Sequence, residues 1–352
     1  MHGWPDLALG WRHQLLALGA LGFRALAPDM RGYGQSTVHP AKTDYALEAC
    51  VADMLELLAS TGREAAVWVG HDLGAPVAWA IASHHPERTL AVAALCVPYM
   101  PQGMSPPKLV ELVDRSVYPI TEFPVGQWDY QLHYLENFDH AVAELGANPV
   151  NTVKAMFRAG SPAHAGKPSP TALLRKRGGW FGKAGAAPDL PLDRSVMSND
   201  ELRHYADALA RNGFAGPNSW YTNGERNDAY MQASVNGGRL AMPALFIHAS
   251  YDAICETLKS PLAGPMRAHC ARLTELTVDA GHWAAQEQSE RVNAGLARWL
   301  ANDLAGAWRC WMSIATACRI CFLPPGCKAA ACTSTRATAT SARSADPSTS
   351  PW

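Results

Sequence analysis

The sequence lacks an excess of either charge. Its 30 Lys and Arg against 31 Asp and Glu leave a formal net charge of −1 over 352 residues. A nucleic-acid groove or a polybasic membrane patch needs clustered positive charge, so both classes are set aside. No run approaches the roughly 18 apolar residues that a membrane-spanning helix requires. The opening residues, His2-Gly3-Trp4-Pro5-Asp6, have neither the basic n-region nor the apolar h-region of a secretory signal, so a cytoplasmic protein is expected. No internal repeat is visible. Cysteine is scarce before residue 306, where only Cys50, Cys96, Cys255 and Cys270 occur. Three of them sit in apolar or helical contexts, as reduced structural thiols do.

The remaining cysteines, Cys310, Cys318, Cys321, Cys327 and Cys332, crowd into a tail whose only acidic residue is Asp346. Cys318 and Cys321 have C-x-x-C spacing. Cys327 and Cys332 do not have the spacing of a zinc ribbon, and no His lies nearby, so no metal is expected. The Ser-, Thr- and Ala-rich end cannot bury enough apolar surface to fold. Residues 306–352 are therefore expected to be a disordered or aberrant appendage.

What is present is alternation. Trp11–Leu21 reads as a helix, Phe23–Ala27 as a short strand, and Leu47–Leu58 as a helix stopped by Gly62. Ala65–Val69 reads as a strand, Ala75–Ser83 as a helix and Leu90–Val97 as a strand. After a long interval, Ala244–Ala249 and Leu273–Val278 read as strands and Val292–Leu300 as part of a closing helix. Continuous apolar strands separated by helices imply an α/β fold with a mostly parallel sheet covered on both faces. The interval breaks the pattern with helical stretches around Gln127–Leu145, Asn151–Ala159 and Asp200–Asn212, the last with a capping box of Ser198 and Glu201. It reads as an inserted helical cap. The expected division is a core in two parts, 1–97 and 241–305, a cap over 98–240, and the tail.

Gly70-His71-Asp72-Leu73-Gly74 follows one strand and opens the next helix. Small residues flanking a central nucleophile permit the sharp turn that lifts that side chain over the strand end. The central residue is Asp rather than Ser or Cys. A carboxylate is ionised at neutral pH and needs no base to attack a saturated carbon. The resulting ester still requires an activated water, hence a His and an acid. His282, in Gly281-His282-Trp283 after the last strand, and Asp252, after Ala244–Ala249, complete the order nucleophile, acid, base. Asp279 lies too close to the His turn for the acid position.

These residues resemble the epoxide hydrolase branch of the α/β-hydrolase superfamily over about residues 2 to 302. His2-Gly3-Trp4-Pro5 resembles its HGxP oxyanion loop, and Asp29 to Ser36 its DxRGxGxS loop. GHDLGAPVAW resembles the elbow and DAGHW the histidine turn. Trp128-Asp129-Tyr130-Gln131-Leu132 and Asn218-Ser219-Trp220-Tyr221 resemble the two segments that carry ring-opening tyrosines. The resemblance implies that Asp72 opens an epoxide while Tyr130 and Tyr221 hydrogen-bond its oxygen. His282, held by Asp252, then activates water against the ester, with the N–H groups of Trp4 and Leu73 as oxyanion hole and His2 shaping that loop. It implies a vicinal diol product, no cofactor, and a small apolar epoxide and water as the only partners. A homodimer stays open. Without the resemblance, Tyr130 and Tyr221 are equally well core or surface tyrosines, and Tyr134 competes with Tyr130.

Two departures shape the alternatives. Leu73 stands where this branch often has Trp, which disfavours a haloalkane dehalogenase that needs that indole for halide. A fluoroacetate dehalogenase is disfavoured because the position lacks an Arg to clamp a carboxylate. In this fold the HGxP loop also follows the third strand, yet here it begins at residue 2. About three strands are therefore expected to be missing from the chain as written, making it unstable or dependent on a partner. An inactive fragment with an interaction role is the alternative from another class.

Overall fold

Four apolar segments become strands: β1 Ala66–His71, β2 Thr89–Leu95, β3 Leu240–Ala249 and β4 Cys270–Val278. They lie in the order β1-β2-β3-β4, and every neighbouring pair is parallel. One row across the sheet runs Gly70, Ala94, Phe246, Glu275. β2 is buried along its length except at Leu90, which explains its unbroken run of small apolar residues. β4 carries exposed Arg272, Thr274 and Glu275, a polar finish suited to an edge. This computed structural model describes residues 1–304, so the expectations for the tail fall outside it.

Helices α1 (Arg12–Ala20), α2 (Leu47–Ser60) and α3 (Gly74–His84) form as the periodicity requires. α3 packs on β1 and β2 and against α2, while the closing helix Ser289–Asp303 packs on β3 and β4 and against α1. The first loop is laid along the end of β1 by two backbone bonds: the Met1 nitrogen donates to Val69 O at 2.7 Å, and His71 N–H to Met1 O at 3.1 Å.

Between β2 and β3 comes a helical insertion that includes Asp129–Glu136, Phe138–Gly146, Pro149–Met156 and Asn199–Asn212. The stretch expected as one helix over Gln127–Leu145 breaks at Asn137, which leaves helical geometry at φ −131° and ψ 41°. The Ser198–Glu201 capping box forms with both bonds, and Gly213, at φ 67°, ends that helix.

One expected strand is not a strand. Phe23–Ala27 is extended but joins no ladder. An apolar cavity of about 310 Å³ separates it from β1, lined by both segments and by side chains of α1, α2 and the closing helix. Phe23 N–H donates to Leu18 O in α1 at 3.0 Å, so the run is tied to the helix before it rather than to a strand edge.

Candidate active site

The elbow places Asp72 at φ +48° between β1 and α3. That left-handed backbone costs a non-glycine residue about 1–2 kcal/mol, and the turn around it is too tight for a second side chain. A Cβ on Gly70 would lie 2.3 Å from Gly74 O. Gly3 is equally constrained: a Cβ there would lie 2.2 Å from Asp72 Oδ1 and 2.4 Å from Leu73 N. The first loop and the elbow thus meet backbone to side chain, and Trp4 N–H donates to Asp72 Oδ1 at 2.6 Å.

All three triad candidates converge. His282 Nε2 lies 3.3 Å from Asp72 Oδ2, and His282 Nδ1 lies 2.7 Å from Asp252 Oδ2. The other Asp252 oxygen accepts the N–H groups of Ile254 and Cys255, each at 3.0 Å. Asp279 is exposed and bonded to Ser250, outside the cluster. Burial works to raise both buried carboxyls. For Asp72 the His282 hydrogen bond and charge override it, and for Asp252 the His282 charge and hydrogen bond do so. Both are held below the ordinary carboxylate range. Burial works to lower His282, but Asp252 and then Asp72 hold it well above its usual value. The free site is therefore a chain of charges, minus, plus, minus.

The two tyrosine segments also converge. The rings of Tyr130 and Tyr221 are 5.5 Å apart, edge to face. Burial is the main cause that pushes both phenols up, and the Asp72 charge adds to each, so both are neutral donors in the field of the carboxylate. Tyr134 stacks on Tyr221 at 4.9 Å, but the charges that raise it after burial come from Tyr130, Tyr33 and Glu144. The Asp72 charge thus acts on Tyr130, Tyr221 and the buried Tyr33, and is not among the main charges acting on Tyr134.

His2 bridges loops. Its Nδ1–H donates to Gly3 O at 3.0 Å, and its Nε2 accepts from Met30 N–H at 2.9 Å. Burial lowers it to about 4, so it is neutral, as that pair of roles requires. Trp4 contributes more than its backbone. Its indole donates to Asn218 Oδ1 at 3.0 Å and stacks on Trp180 at 5.4 Å, joining the first loop to the insertion. Leu73 lines an apolar cavity of about 80 Å³ together with Pro76, Met100, Met104, Trp220 and Tyr221.

Several neighbours escaped the sequence reading. Asp6, the residue after the HGxP match, is buried, accepts from Tyr205 OH at 2.5 Å, and is raised by burial to about 6. His71 and Cys96 both donate to the His282 carbonyl, at 2.7 and 3.4 Å. These three residues (His71, Cys96 and His282) have ligand atoms within 4.8 Å of one another. Their hydrogen bonds are already committed inside the site, to that carbonyl and to the two carboxylates. Glu287 lies behind the histidine turn. Adjacency to a motif was the available signal for Asp6 and His71; Trp180 had none.

A parallel sheet that carries an Asp on a strand-to-helix elbow, with a His and a second Asp brought to it from the following strand ends, has the arrangement of an α/β hydrolase. The alpha/beta hydrolase fold family matches residues 1–287. Epoxide hydrolase A of Mycobacterium tuberculosis is 34% identical over 305 residues, covering 85% of this chain and 88% of that protein. The bifunctional epoxide hydrolase 2 of Sus scrofa is 34% identical over 86% of this chain, which spans 51% of that longer protein. The crystal structure of epoxide hydrolase A from Mycobacterium thermoresistibile superposes with a TM-score of 0.69 at 30% identity, covering 86% of this chain and 89% of that one. The chain belongs to the α/β-hydrolase fold family, within its epoxide hydrolase branch.

Proposed function

We propose that the protein is an epoxide hydrolase acting through an aspartyl ester, with the helical insertion as its cap. The observation that carries this reading is the Asp72–His282–Asp252 array at 3.3 and 2.7 Å, with two neutral phenols in the field of its nucleophile. Trp4 N–H holds Asp72 Oδ1, leaving Oδ2 to attack an epoxide carbon from behind. The carbon–oxygen bond of the ring breaks, and Tyr130 and Tyr221 stabilise the alkoxide and supply its proton. Phenols suit an epoxide oxygen because it becomes a strong acceptor only as charge develops on it.

Esterification removes the Asp72 charge. Part of what holds His282 protonated disappears with it, so the imidazolium gives up a proton that replaces the one the phenol supplied, and the imidazole becomes a base only when there is an ester to hydrolyse. His282 then takes a proton from water, whose oxygen attacks the Asp72 carbonyl carbon. The N–H groups of Trp4 and Leu73 receive the oxyanion. Collapse breaks the bond between the Asp72 carbonyl carbon and the alkyl oxygen, which takes the proton from His282 to complete the diol, and the acid left on Asp72 ionises again to the imidazole. The cavity beside Leu73 favours a small apolar epoxide. The four cysteines among the described residues are buried free thiols, which fits the cytoplasm. A dehalogenase finds less support, because Leu73 offers no indole and that of Trp4 is bonded to Asn218.

Single turnover in heavy-oxygen water tests the reading. Label is expected in Asp72, with none in the first diol formed. Label entering the diol directly overturns the ester mechanism, and folded protein that takes up no label and forms no diol favours an inactive scaffold. His282→Gln is expected to accumulate the ester, seen as added mass on the intact protein.

A further inference from the structure

The backbone around His282 is held at three successive residues. Gly281 N–H donates to Glu287 Oε2 at 2.9 Å, and Trp283 N–H to Glu287 Oε1 at 3.2 Å. Between them the His282 carbonyl accepts from His71 and Cys96. The turn is thus gripped from the sheet side at its carbonyl and from behind at its two flanking amides. Such bonds fix the direction in which the imidazole leaves the chain.

Glu287 does something further. Its Oε2 also accepts the N–H of Gly160 at 2.8 Å, and Gly160 belongs to the insertion. One oxygen atom therefore serves the base turn and the insertion together. The two glycines touch: a Cβ on Gly160 would lie 2.3 Å from Gly281 Cα. Trp283 continues the seam. Its indole donates to Met156 O at 2.9 Å, and its ring stacks on Phe157 at 4.1 Å. Burial raises the Glu287 carboxyl and the three amides oppose it, as expected of a carboxylate enclosed by backbone donors.

We propose that Glu287 is a positioning residue that couples the seating of the insertion to the placement of His282. This rests on the two-step reading above. It follows that slack confined to this seam loosens the base turn, while Asp72, held by the elbow and by Trp4 N–H, and the phenols of Tyr130 and Tyr221, carried on other segments of the insertion, keep their places. Ester hydrolysis then depends on this seam, and ester formation does not.

Glu287→Gln is close to isosteric but places an amide donor among backbone donors. With styrene oxide as the probe, ester formation is followed by rapid quench and intact mass. The variant is expected to form the ester within about threefold of the wild-type rate and to hydrolyse it on the order of tenfold to a hundredfold more slowly, the scale of a misplacement near 1 Å. Steady-state kcat falls while kcat/KM, set by ester formation, holds. Gly160→Ala perturbs the same seam from the insertion side and is expected to show the same split, with the double variant less than additive. Wild-type hydrolysis in Glu287→Gln overturns the proposal. So does a parallel fall of both steps with the melting temperature, which would mark a merely structural role. Absence of any ester on wild-type Asp72 instead overturns the reading on which it rests.

Discussion

Strand β1 ends among closely spaced hydrogen bonds and borders an unfilled apolar cavity. At its carboxyl end, Gly70, His71 and Asp72 are buried, and the two side chains are hydrogen-bonded to the first loop and the histidine turn. Along its flank, Ala66, Val67 and Val69 are only partly buried beside the 310 Å³ cavity. Trp11 Nε1, Gln14 Oε1 and Trp299 Nε1, on residues lining that cavity, are buried without hydrogen-bond partners. Burying a polar atom unpaired costs about 1–3 kcal/mol. The chemistry is therefore set by bonds local to the strand end, and the flank is where stability is given up.

Breaking the strand end should have the largest effect. Asp72→Asn removes the nucleophile and is expected to lower diol formation by about 10⁴-fold or more, with the circular dichroism spectrum unchanged. Next come the phenols. Tyr130→Phe and Tyr221→Phe should each slow ester formation by about 10²–10³-fold, the scale of a lost oxyanion donor. Tyr134→Phe should stay near wild type, because after burial the groups that act on its hydroxyl are Tyr130, Trp180, Tyr33 and Glu144 rather than Asp72. Equal losses at Tyr134 and Tyr130 would undo the distinction drawn from the Asp72 field.

Asp6 offers a test by pH. Burial raises its carboxyl from 3.8 to about 6, so the fold keeps a proton that the unfolded chain has already released. Its contribution to stability is therefore fullest below pH 3.8 and declines as pH rises to about 6, then stays level. The decline is about 3 kcal/mol at 1.36 kcal/mol per pH unit. Urea unfolding of Asp6→Asn, compared with wild type from pH 4 to 7, should gain about that much relative stability over the window. A pH-independent difference would mean that Asp6 ionises normally. The smallest effect concerns the flank. Val69 O and His71 N–H face Met1, so the two-residue alternation of a strand turns the amides of Val67 and Val69 toward the cavity. These amides should exchange with solvent roughly tenfold or more faster than those of Ala93 and Leu245.

Local geometry was legible in the sequence. The elbow, the capping box at Ser198 and the strand ends bearing Asp252 and His282 each follow from a few adjacent residues, and each forms as read. What failed depended on partners distant in the chain. Phe23–Ala27 has the composition of a strand, but a strand exists only beside another edge. The break at Asn137 is a local exception, a backbone turn that periodicity alone would have continued as helix. Glu287 is five residues from His282, yet its importance depends on Gly160, more than a hundred residues away. Trp180 meets Trp4 only because the insertion folds back over the first loop.

The buried thiols bear on a hazard of handling electrophiles. An epoxide alkylates a thiolate to a thioether that water cannot reverse. Cys96 and Cys255 lie near enough to feel the Asp72 charge, yet burial first, and the neighbouring carboxylates after it, hold both as neutral thiols. Cys270 is likewise pushed up to about 12 by burial. A neutral, enclosed thiol is a poor nucleophile. With Asp72 acting as proposed, a reactive substrate entering this pocket meets an ionised nucleophile whose adduct can be undone, and the protein is spared slow poisoning by its own reagent.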